Sequence, residues 1–208
     1  MLTRRSLMIG GGAAACLASV SRLMAFEPPV KPALQFRGQD YFIRQVKSND
    51  TAYLFTPRDQ PDLTKRTDLF SIVTYRDVKD FEQLRAQKDK VLKTYNVPGA
   101  VILGQKDAPP SLGFRGESFF CAMQGGNGFS DATFARFTLA SGIGYALIYM
   151  RSIYDAGQGN AATDSADALG KWINTNSREV SSALLDFTIV LNDSVLAAWK
   201  SSVAQSSN

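Results

Sequence analysis

The chain has no histidine and only two cysteines in 208 residues. Without histidine, nucleophilic sites of the Ser-His-Asp and Cys-His kinds lose their general base. Imidazole ligands for zinc or haem iron are lost with it. Cys16 and Cys121 are too few for a thiolate zinc site or an iron–sulfur cluster, so no cofactor is expected. Glutamate is also scarce: Glu27, Glu82, Glu117 and Glu179 are the whole set. Hydrolysis by paired carboxyls needs two such groups facing each other. Glu82 and Glu179 fall on expected helix faces, where solvent exposure explains them. Glu117 precedes an apolar run and is the one candidate catalytic residue, for a carboxylate-based hydrolase.

Excess charge is small once it is placed along the chain. There are 23 basic and 19 acidic residues, a net charge of +4. Arg4, Arg5 and Arg22 lie in the first 25 residues, which hold no acid; without them the balance is 20 against 19, or +1. Local clusters such as Arg85 to Lys90 mix both signs. No basic stripe remains, so nucleic acid is not an expected partner. The glycine-rich stretch Gln124–Phe129 is followed neither by Lys-Ser/Thr nor by a helix start, and so is not a phosphate loop. Asp155–Asn160 lacks the alternating oxygen ligands and terminal Glu of a calcium loop.

Residues 1–25 combine a basic start, a weakly apolar middle and a small residue at Ala25, the pattern of a secretory signal. Thr3-Arg4-Arg5-Ser6-Leu7-Met8 resembles a twin-arginine signal, although Ile9 stands where that pattern usually has Lys. The resemblance implies recognition of Arg4 and Arg5 by the twin-arginine translocase, cleavage after Ala25 and a periplasmic protein. Secretion is an alternative. So is a lipid anchor on Cys16, because Ala13-Ala14-Ala15-Cys16 is a degenerate lipoprotein box. The segment is diluted by Gly10, Gly11 and Gly12 and falls short of the roughly 20 apolar residues of a membrane span. A cut at Ala25 leaves Cys121 without a disulfide partner.

Residues 26–40 read as a proline-rich leader, extended because Pro28, Pro29 and Pro32 deny it a helix. Residues 41–200 read as one domain, and 201–208 as a fraying tail. β-branched and aromatic runs predict strands at 41–46, 52–55, 69–75, 100–103, 117–123, 133–140 and 143–150. Phe81, Leu84, Val91, Leu92 and Tyr95 recur at helical spacing, with Asp77 or Asp80 as cap. A helix carries Leu169, Trp172 and Ile173. Ser177 is the expected cap of another that bears Val180, Leu184 and Phe187 and extends to Val195 and Trp199. The class is α+β: a mainly antiparallel sheet of about seven strands, one middle helix, and C-terminal helices packed on the sheet.

This element order looks like the PsbP-like sandwich. Leu54-Phe55-Thr56-Pro57 leading to Leu63 and Thr67-Asp68, with a helix after the third strand, carries the likeness across residues 41–200. The resemblance implies an exported, non-enzymatic accessory or binding protein of the cell envelope. Its expected partner is an envelope protein, or a small apolar ligand held between sheet and helix. Loop 124–131 or a sheet face would make the contact.

Overall fold

Strand β7 (Phe129–Ala140) shows how the sheet is buried. Side chains alternate across a strand. Ala132 and Phe134 therefore enter one apolar cluster while Ala135 and Phe137 enter another on the opposite face. A strand covered on both faces is the centre of a three-layer protein. The structure, a computed structural model, describes residues 31–206 except 48–50, 112–115, 127, 141, 156–160 and 189. Arg4, Arg5, Cys16 and the expected cut at Ala25 lie outside the described residues.

The described elements run β1 (Leu34–Phe36), β2 (Gln39–Lys47), β3 (Ala52–Pro57), β4 (Asp68–Tyr75), α1 (Phe81–Lys93), β5 (Ala100–Ala108), β6 (Glu117–Gly126), β7, β8 (Ile143–Tyr154), α2 (Ala161–Asp186) and α3 (Asp193–Ser206). All eight strands form one sheet in the order β1-β2-β3-β4-β8-β7-β6-β5. Every neighbouring pair is antiparallel. Two four-stranded meanders thus meet along β4 and β8, with Asp68 opposite Arg151. The α+β class and the antiparallel sheet agree with the sequence expectation; the eighth strand is β1.

The leader is where that strand was missed. Arg37 and Gly38 take φ of 51° and 74°, the left-handed geometry of a tight hairpin between β1 and β2. Leu34 and Phe36 point inward, and the Phe36 ring lies 5.0 Å from Phe70 and 5.3 Å from Tyr149. Arg37 then reaches α2, its Nε 3.0 Å from Glu179 Oε1. The end of the leader is structural, and the sheet starts before residue 41.

Helix α1 begins at Asp80, whose carboxylate accepts the Gln83 amide at 2.8 Å. It covers the face carrying Phe120, Ala135, Phe137 and Ala146. Gly144 permits that approach, because a Cβ there would meet Val78 Cγ1 at 2.8 Å. The opposite face is covered by α2 and α3. Ser177 lies inside α2 and starts no helix; the chain is continuous from Ala161 to Asp186. The real break precedes α3, where the Asn192 side chain accepts the Val195 amide at 2.9 Å as an N-cap. Trp199 anchors α3 at 4.9 Å from the Phe55 ring, and the helix runs on to Ser206 where fraying was expected. Trp172 anchors α2 beside Phe134, at 6.3 Å. Among the described residues no helix is long and apolar enough to cross a membrane.

Candidate binding edge

Helix α2 lies over β7 and β8 and barely reaches β6. Strand β5 therefore stands clear of it. β5 is the last strand of the order, paired with β6 alone, so the outer main chain of Ala100–Ala108 has no strand partner among the described residues. Val101, Ile102 and Leu103 are 50, 44 and 46% exposed. An edge strand with exposed apolar residues is a template for another chain, and proteins normally blunt such edges. Here the blunting is confined to one half. A bulge between Ile102 and Gly104 separates the apolar half from Gln105, Lys106 and Asp107.

Between this edge and α2 lies an open groove of about 280 Å³. Its floor is Leu103, Phe119, Cys121 and Phe134, with Ile173 on the helix side. Ser177, Arg178 and Ser181 form the polar rim. Lys106 pairs with Phe119 and so shares the groove's face of the sheet. A buried small-molecule site usually spans about 300–1,000 Å³ and encloses its ligand. This groove is smaller and open, the size of one or two side chains of a docking segment.

Beneath the other face, Lys88 of α1 is buried and its Nζ sits 2.7 Å from Asp107 Oδ1. This pair ties α1 to β5, which has few other contacts with the core. Burial favours the neutral thiol at Cys121 and pushes its pKa from the ordinary 9.0 up to about 12. Its stabilising contribution is intact below pH 9 and falls away as pH rises from 9 towards 12, where only the unfolded chain ionises readily. Burial shifts Tyr41 and Tyr149 in the same direction. The denaturant midpoint is expected to fall between pH 8 and pH 11, and to fall less steeply in Cys121→Ala. An equal slope in the variant would remove Cys121 from that account.

Glu117 does not stand free. Its carboxylate contacts Arg136 Nη2, whose other nitrogen donates to the carbonyls of Leu184 at 3.1 Å and Phe187 at 2.9 Å. The pair closes the C-terminal end of α2, where helix carbonyls lack internal partners. Asp107, one residue along the paired strand, is turned to the opposite face and Lys88. Among the described residues the structure thus brings Glu117 to a guanidinium, and not to a second carboxyl. Asp68, by contrast, accepts from Tyr149 Oη at 2.5 Å and Arg151 Nη1 at 2.6 Å. Of the glycine-rich stretch, Gln124, Gly125 and Gly126 lie in β6 and Phe129 opens β7.

The fold and edge define an α+β protein with one antiparallel sheet layered between helices and an open strand at one end. No family model matches the chain, and no curated protein matches its sequence. Among solved structures, a point mutant of the protein Mog1 is similar at 8% identity, covering 72% of this chain and 85% of that one, with a TM-score of 0.44. A Pseudomonas aeruginosa protein of unknown function is similar at 10% identity, over 77% and 88% of the two chains, with a TM-score of 0.39. The Saccharomyces cerevisiae Ran-binding protein Mog1p is similar at 9% identity, over 69% and 88%, with a TM-score of 0.38. Nothing about a partner or an activity follows from values this low.

The sequence predicts a strand at Ala100-Val101-Ile102-Leu103 but not its place in the sheet, because an apolar run this short has the same pattern at an edge as in the interior. Arg178 gave no signal at all, being one charge on a mixed helix face.

Proposed function

We propose that the chain is an exported, non-enzymatic accessory or binding protein of the cell envelope that holds a protein partner along the outer edge of β5. The observation that carries this reading is the run Val101-Ile102-Leu103, about half exposed on the end strand of the sheet beside an apolar groove. Leaving such a surface open risks aggregation, which a partner strand would prevent. The arginine pair of Thr3–Met8 supports export. The PsbP-like element order supports a binding role by analogy of fold. Among the described residues the partner of Glu117 is Arg136, whereas hydrolysis by paired carboxyls calls for a second carboxyl facing it.

A photo-crosslinking residue placed at Ile102, in cells carrying the native leader, tests the reading. It is expected to give one discrete adduct that disappears on adding Leu103→Asp, while the same residue at exposed Leu185 gives none. Equal labelling from both positions overturns the proposal. So does turnover of an envelope substrate that Glu117→Gln abolishes.

A further inference from the structure

The charges around β5 are not balanced. Each acid at this edge is already engaged: Asp107 by Lys88 and Glu117 by Arg136. Glu179, next to Arg178 in sequence, is engaged by Arg37. Arg178 and Lys106 have no carboxylate within ion-pair distance among the described residues, yet both belong to the groove's face. Ser177 and Ser181, one helical turn apart, add hydroxyls beside Arg178.

We infer that the segment docking on β5 is acidic as well as apolar. It is an extended stretch of a different protein that sets an apolar side chain over Leu103 and Phe119 and carries a carboxylate to Arg178 and Lys106. This rests on the reading of β5 as the docking edge and adds the chemistry of the partner. A planar guanidinium flanked by hydroxyls suits a carboxylate's paired oxygens. An extended segment also fits the register, because residues two apart on a strand share a face. The cation and the apolar floor lie together on one face of the sheet, so alternate positions of one segment can reach both.

A second copy of this chain fits less well. Antiparallel pairing of two β5 strands about a twofold axis sets both Arg178–Lys106 pairs on the same face of the joined sheet, like charge near like charge. The bulge at Ile102/Gly104 would also have to be matched on both sides.

The test uses the exported protein and two capped nine-residue peptides with threonine at the even positions; at the odd positions, which share a face, valine alternates with glutamate in one and with lysine in the other. Binding is followed by backbone amide shifts. The glutamate peptide is expected to shift the β5 amides and to bind about tenfold tighter than the lysine peptide at low salt, with the gap narrowing as salt rises. Arg178→Glu combined with Lys106→Glu is expected to reverse the preference. Equal affinity for the two peptides, a preference unchanged in that double variant, or no binding of the glutamate peptide overturns the inference. So does a β5-mediated dimer in sedimentation. Any of these leaves the β5 docking reading to be decided by the cross-link from Ile102.

Discussion

Changing Arg4 and Arg5 together to lysine is expected to stop export and leave the full-length chain in the cytoplasm. The unaltered protein is expected in the periplasmic fraction with Phe26 at its N-terminus. Lysine keeps both charges but not the planar, five-donor fork of arginine. The exchange therefore separates recognition of the pair from attraction of a basic leader. Arg22→Lys, near the cut, is the matching control and is expected to be exported normally. Cell fractionation and the mass of the mature N-terminus read all three. An exported double variant would sink the twin-arginine proposal, and an acylated Cys16 at the terminus would replace release by a lipid anchor. Export after folding, as proposed, would let the long-range pairing of the sheet form first. The sheet closes by pairing β4 with β8, Asp68 against Arg151, so its central seam forms only after the whole meander β5–β8 exists. Pairings this distant in sequence form slowly. A chain threaded unfolded through a membrane would have to delay them.

The second large effect is expected from Arg136→Met. That change leaves Glu117 without its cation and removes the donors to Leu184 and Phe187 at the end of α2. Breaking a buried ion pair by deleting one partner costs about 3–5 kcal/mol. Glu117 keeps some contact with solvent, which places the expected loss near the lower end, about 3 kcal/mol. For a domain of this size that is a fall in Tm of about 6–12 °C. Adding Glu117→Gln should recover part of the loss, because the stranded charge is then gone. Denaturant unfolding of the wild type, the two single variants and the double variant gives the coupling directly. Purely additive changes would show that the pair is incidental. Glu117→Gln alone should cost less than Arg136→Met, since the amide oxygen still accepts from the guanidinium.

Much of the architecture was legible because it needs only local patterns. The β-branched and aromatic run Thr133–Ala140 and the helical spacing of Phe81, Leu84 and Leu92 each write their element into adjacent residues. Errors came where a local signal was ambiguous. Three prolines hid the short strand Leu34–Phe36, whose burial depends on Phe70 and Phe187 far along the chain. Ser177 resembled a cap but lies mid-helix facing the groove, while Asn192 makes the cap that divides the helices. The tail to Ser206 is helical, and its helix is held to the sheet by Trp199, whose ring meets Tyr53 and Phe55.

By itself the sequence determined what a count or a short period can determine: the missing histidine and the chemistry that goes with it, the α+β class, and which side of its own strand each residue faces. Only the tertiary structure decided which strand lies at the end of the sheet. The same four residues, Ala100–Leu103, would be core in the middle of the order and are an exposed edge at its end. That difference is made by β4 joining β8 rather than β5, a pairing between distant segments that no local pattern encodes. The same long-range packing gave Glu117 its arginine, and left Arg178 beside an apolar groove without a carboxylate partner among the described residues.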